Sequence, residues 1–327
     1  MVDDQVLISR VLPIAVMLTV VLYLGGALFP IVGALIGLAA LAPGVYLRFQ
    51  TSLRWPPTVM VAAVAGLLFL GFRTPAPVAV YFLEFGLSSL VFDYFLRRRR
   101  PGVETLFVSA AITTFLVVML MVWLSYNRGV TPVFLSEQFL LANVAEVSAI
   151  YERAGVTAAQ LAVLRQAAEE VAVWAGTLFP SLLFIAFFTV QGFGFGAARL
   201  FYNRLHSAPP ELLKEASSFS HMQVPGLLVW PLIVCLGGLL LLPLSGMPRF
   251  LFFNGAGLLL FTYLIQGLAI MQFAFEVYAV SRVQRFFICF FFLAFQFLFI
   301  FLVLLGIFDT WLDVRLRIVR RQQRLGR

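Results

Sequence analysis

Residues Leu106–Leu124 read LFVSAAITTFLVVMLMVWL, a run without a single charged side chain. A helix needs about 20 apolar residues to cross the hydrocarbon layer of a bilayer, and this run approaches that length. Eight others do the same: Val11–Phe29, Ile31–Leu47, Pro57–Phe72, Val78–Leu96, Val171–Phe195, Leu227–Leu244, Phe250–Phe275 and Phe286–Phe308. None sustains two-residue alternation, which argues against a membrane β-barrel. In lipid the backbone must satisfy its own hydrogen bonds. What remains is an all-α, polytopic transmembrane helical bundle of about 8–9 spans.

Composition agrees. Charged residues make up 12% of the 327, half of the roughly 25% usual in soluble domains. Hydrophobic residues make up 62%, and 36 residues are phenylalanine. A water-soluble fold cannot hide that much apolar surface, so soluble enzyme, disordered chain and secreted disulfide scaffold are excluded. Cys235 and Cys289 both lie in apolar runs and read as small core residues. Asp3 and Asp4 spoil the positive start of a signal peptide, so the first run reads as a retained span.

The runs fall into an N-terminal membrane block, 1–125, with five spans, and a C-terminal block, 171–308. Between them, 126–170 is an acidic, amphipathic segment with Glu137, Glu146, Glu152, Glu169 and Glu170; 309–327 is a basic tail. Thr157 and Gln160 match a capping box, and the helix they open has the sequence to run from Ala158 straight into the sixth span. Phe139, Leu140, Val144, Val147, Ile150 and Tyr151 recur at helical spacing and suggest a further amphipathic helix, a docked cap or a substrate lid.

Arginine sets the orientation, because basic clusters resist translocation. With the N-terminus inside, Arg48, Arg54 and Arg97–Arg100 fall in the cytoplasm, 126–170 lies outside, and Arg199, Arg204 and Lys214 return inside. Nine full crossings would leave the arginine tail outside, so one late run is expected not to cross. Leu227–Leu244, interrupted by Pro231, Gly237, Gly238 and Pro243, is the candidate for a re-entrant hairpin. The basic clusters also suit anionic lipid headgroups. No aromatic-rich RNA-binding motif accompanies them, so nucleic acid is not expected as a partner.

Ionisable and polar residues inside spans are functional candidates. Glu84, near the middle of the fourth span, reads either as a solute-binding carboxylate or as a bundle-facing group bonded to Ser88 or a neighbouring helix. Asp93 stands four residues before Arg97 and reads as its ion-pair partner. Asn254, Tyr263, Gln266, Gln272 and Glu276 form a polar stripe in the eighth run, lining a cavity or bonding between helices. Gly33-x-x-x-Gly37 and Gly192-x-x-x-Gly196 offer small surfaces for close helix approach. The only histidines, His206 and His221, share a loop outside the spans; no enzyme, metal site or cofactor is expected.

Three stretches together resemble a known family. They are Gly306-Ile-Phe-Asp309-Thr-Trp311-Leu-Asp313-Val-Arg315, then Asn254 with Tyr263 and Gln266-Gly267, and Phe219 with Pro225 and Val229-Trp230. This pattern is similar to the YybS-like family of bacterial inner-membrane proteins of unassigned function. The resemblance implies a multi-pass protein of the inner (plasma) membrane. It also implies a distant kinship with the substrate-binding S components of energy-coupling-factor transporters, hence a small-molecule-binding bundle. Glu84, Asn254, Tyr263, Gln266 and Glu276 are then the expected solute contacts. Asp309, Trp311, Asp313 and Arg315 form either an interfacial anchor or a partner-docking site, with Trp311 suited to the headgroup layer and an Asp313–Arg317 ion pair expected from spacing. Membrane lipid, a small solute and a membrane-protein partner are the expected contacts. The competing class is a scaffold that recruits proteins or anionic lipid through the acidic segment and basic tail.

Overall fold

The computed structural model describes residues 2–28, 32–51, 53–98, 102–153, 156–206 and 219–325. Arg99, Arg100, Lys214 and Arg327 of the topology argument lie outside the described residues. So do the side chains of Phe139, Leu140, Glu146, Val147, Ile150 and Tyr151. The described residues form helices and connecting turns, without a strand among them. A helical membrane bundle is therefore the fold.

Five helices are long and apolar enough to cross a membrane, or six if one bent pair counts as a single span. Two shorter apolar helices, Pro56–Phe72 and Gly226–Leu241, accompany them. Fewer long helices result than the nine apolar runs suggest because several runs break, and prolines mark two of the breaks. The second run divides into α2 (Val32–Leu38), a 3-10 turn and α3 (Ala42–Gln50), with Pro43 in the first turn of α3. The sixth divides at Leu178 between α9 (Ala158–Thr177) and α10 (Phe179–Leu205). Pro180 has no N–H to give to the turn before it and its ring crowds that turn's carbonyl, so the two helices cannot be continuous. The Thr157–Gln160 capping box does open α9.

The chain clusters into two units. The first contains Met1–Met119 and Leu183–Ser217. It comprises α1 (Val2–Leu28), α2, α3, α4 (Pro56–Phe72), α5 (Pro75–Tyr81), a π-helical turn at Phe82–Gly86, α6 (Leu87–Leu96), most of α7 (Gly102–Arg128) and most of α10. Gly33 and Gly37 allow α2 to lie against Gly25 and Gly26 of α1, since a Cβ on Gly33 would stand 2.6 Å from the Gly26 carbonyl oxygen. The second glycine pair works differently. Gly196 faces open space and Gly192 meets only Leu106, whereas Gly194, between them, packs tightly on Leu41 and Ala42.

The second unit contains Leu120–Leu182 and Ser218–Arg327. It comprises α8 (Pro132–Arg153), α9, α11 (Val229–Leu241), α12 (Gly246–Val277), α13 (Arg282–Ala294), α14 (Phe299–Leu312) and α15 (Val314–Leu325). α11 is one unbroken helix antiparallel to α12: Gly238 faces Phe252, and Gly255 faces the Cys235 sulfur. The expected reversal inside Leu227–Leu244 is absent. Pro231 sits in the first turn, where its missing N–H costs nothing, and Pro243 follows the helix end. The sharp bend, 102°, falls instead in the last run, between α13 and the segment Gln296–Leu312. Cys289 lies exposed on α13 rather than in a core.

Candidate functional site

α12 and α14 meet through glycine. A Cβ on Gly267 would overlap the Leu302 carbonyl, and one on Gly306 would overlap the Tyr263 carbonyl. The two backbones therefore touch, and polar side chains beside the crossing are shut away from lipid. Gln266 donates from Nε2 to Asp309 Oδ2 at 3.1 Å. Asp309 also accepts from the Val314 backbone N–H at 2.9 Å, and Arg315 Nη1 stands 3.9 Å from its Oδ2. Arg315 Nη2 donates to the Met222 carbonyl at 2.5 Å. Burial pushes the Arg315 guanidinium below its ordinary pKa, and the Asp309 carboxylate pulls it back up. Asp313 makes this local path possible. It ends α14 in the left-handed conformation (φ 44°), one that aspartate tolerates better than most residues.

Several buried atoms of this cluster lack a hydrogen-bond partner: Tyr263 Oη, Gln266 Oε1, Thr310 Oγ1 and Arg315 Nε. The Tyr263 and Thr310 hydroxyls are neighbours, yet they do not complete a bond of ordinary geometry. Buried polar groups are nearly always paired, so a group of unpaired ones in one place needs an explanation.

The structure gathers Tyr263, Gln266, Asp309 and Arg315 and separates the other candidates from them. Asn254 is used up in a helix junction: its Nδ2 donates to the Thr177 and Phe250 carbonyls, and its Oδ1 accepts from the Ser181 N–H at 3.0 Å. Asn254→Leu should therefore lower stability by about 1–3 kcal/mol, from the backbone groups it strands, without altering any ligand response. Thermal unfolding in detergent measures this. Glu276 accepts from Ser220 Oγ at 2.8 Å and from Gln272 Nε2 at 3.1 Å. Trp311 is exposed on α14, as a headgroup-layer ring would be. Asp313, lying outside regular helix, makes no ion pair with Arg317 among the described residues; only the Arg317 N–H returns to its carbonyl.

Glu84 belongs to the first unit. It is exposed on the π-helical turn and makes no hydrogen bond or ion pair among the described residues. Ser88, its expected partner, instead accepts from Gln191 Nε2 at 2.7 Å, and Gln191 Oε1 accepts from Ser109. Asp93 bonds Arg97, as spacing suggests, and also Arg48, a fully buried arginine whose Nη1 donates to the Thr51 and Leu53 carbonyls. Thr310, Gln191 and Arg48 escaped the sequence reading. For Gln191 the available signal was a lone carboxamide amid an apolar run.

Three sequence stretches that lie far apart thus converge in the second unit, around Tyr263, Gly267 and Gly306. Val224, Val229 and Leu232 pack on Tyr263, and Gly226 lies against Thr310. No curated protein and no solved structure matches the chain. The family model described as a predicted membrane protein, DUF2232, matches residues 17–310, in keeping with the YybS-like resemblance, and the chain belongs to that family.

Proposed function

We propose that the chain is a non-catalytic, transporter-like membrane protein that binds a small polar solute at the cluster of Tyr263, Gln266, Thr310 and Arg315. One observation carries the reading: the unpartnered buried atoms of that cluster. Two hydroxyls and a guanidinium N–H are donors, and one carboxamide oxygen is an acceptor. Asp309 offsets the charge of Arg315, so the set suits a solute rich in acceptor groups without a large net charge. A ligand completing these bonds would recover what their burial costs.

The test uses purified protein in detergent and a panel of small carboxylic acids, amino acids and nucleobases. Binding at a hundredfold excess over Kd stabilises the folded form by about 2.7 kcal/mol, which appears as a higher Tm. Tyr263→Phe removes only an unpaired hydroxyl, so the ligand-free Tm should stay put or rise slightly. The ligand-induced rise should shrink, by about 1.4 kcal/mol for each tenfold loss of affinity. A full rise in Tyr263→Phe and Gln266→Leu, or no rise with any compound, would sink the solute reading and favour the scaffold.

A further inference from the structure

Gln322 of α15 donates from Nε2 to the carbonyl of Val277, the last residue of α12, at 2.7 Å. Everything from Tyr278 to Arg321 therefore sets out from one place and comes back to it. α12 has 32 residues, a length of about 48 Å at 1.5 Å per residue. That exceeds the hydrocarbon layer of about 30 Å, so this helix can cross with its C-terminal end at a membrane face. α13 has 13 residues and α14 has 14, about 20 and 21 Å. Each falls short of a crossing, and the chain bends by 102° between them. α15 carries Arg317, Arg320 and Arg321 exposed, which keeps it out of the hydrocarbon.

The geometry points to a re-entrant excursion: residues 278–321 enter and leave the membrane at the face where α12 ends, and the arginines gathered there rest on anionic phospholipid headgroups. Arg282 opens α13 and is exposed. Arg285 folds back onto the end of α12, donating to the Val280 and Phe275 carbonyls at 2.9 and 3.0 Å. On α15, Arg317, Arg320 and Arg321 fall within one third of the helix circumference at 100° per residue. The inward side is occupied separately, by Arg315 on the Met222 carbonyl. Phe286 and Phe290 of α13 are exposed, stacked rings suited to the acyl region beneath those headgroups. Charge complementarity thus selects the lipid, and the greasy helix beside the basic one sets its depth. The arginine bias makes this face the cytoplasmic one, which removes the conflict of nine full crossings.

The test uses the full chain with Cys235→Ala and Cys289→Ala and one new cysteine at a time, labelled in intact cells by a membrane-impermeant maleimide. Ser281→Cys and Gln323→Cys should both react only after permeabilisation, and Ser245→Cys should react without it. Labelling of Ser281→Cys and Gln323→Cys from opposite faces overturns the excursion. For the lipid, purified protein is titrated with phosphatidylglycerol or phosphatidylcholine. Phosphatidylglycerol should raise Tm, an effect at least halved in R317Q/R320Q/R321Q and retained in R317K/R320K/R321K. An undiminished rise in the glutamine variant, or an equal rise with phosphatidylcholine, overturns the lipid assignment. Neither arm depends on solute binding.

Discussion

Gly267→Leu and Gly306→Leu should each lose most of the monodisperse protein that the parent chain yields in detergent. Overpacking a core usually costs about 1–3 kcal/mol, because neighbouring side chains turn aside. Here the obstacles are the Leu302 and Tyr263 carbonyls, which are backbone and cannot turn. The helices must separate, and the Gln266–Asp309 bond beside them must stretch or break. The cost should be about 3 kcal/mol or more. Gly237→Ala provides the comparison. A Cβ there meets nothing within 4 Å, so this variant should gain up to about 1 kcal/mol from better helix propensity. Size-exclusion profiles and Tm distinguish the outcomes, and equal behaviour of the three variants would refute the close contact.

Asp93→Leu is expected to do comparable damage in the first unit. It strands Arg48, whose side chain is 1% exposed and has no other carboxylate in reach among the described residues. Breaking a buried pair from one side typically costs about 3–5 kcal/mol. Arg48→Leu should cost less, since Asp93 keeps Arg97, itself about a quarter exposed. The double variant R48L/D93L should recover part of the loss, because no buried charge is then left alone. A cycle of Tm or denaturant measurements on the four proteins gives the coupling. Additive losses would mean that the two residues do not act as a pair.

Much of the architecture follows from apolar run length alone, and the reason is physical. Lipid demands helices, and helices long enough to cross announce themselves as long greasy stretches. What run length cannot convey is whether a stretch stays straight. Phe286–Phe308 is uniformly apolar and contains no proline, yet it bends at Phe295; the bend follows tertiary packing of α14 on α12. The site was legible in part. Tyr263 and Gln266 fall on one face of a long helix and were visible as a stripe. Asp309 and Arg315 came from the closing motif, but nothing in either stretch said that the two would meet. The glycines hinted at it: Gly267 beside Gln266, and Gly306 one turn before Asp309. Asn254 and Glu276 were indistinguishable from cavity residues because a carboxamide that ties a junction and one that holds a solute look alike in a sequence.

The π-helical turn at Phe82–Gly86 decides which way a carboxyl group points. From Tyr81 the inward line passes through Gly86, Ser89, Asp93 and Leu96, all buried, so its first step is five residues and the later ones three or four. A regular helix starting at Tyr81 would step three or four at once and bring Glu84 or Phe85 onto that line. The spare residue in the turn acts as a phase slip. Whether Glu84 faces protein or lipid is thus a matter of counting: shorten the turn by one residue and the acid swings toward the core, with no change in its own chemistry.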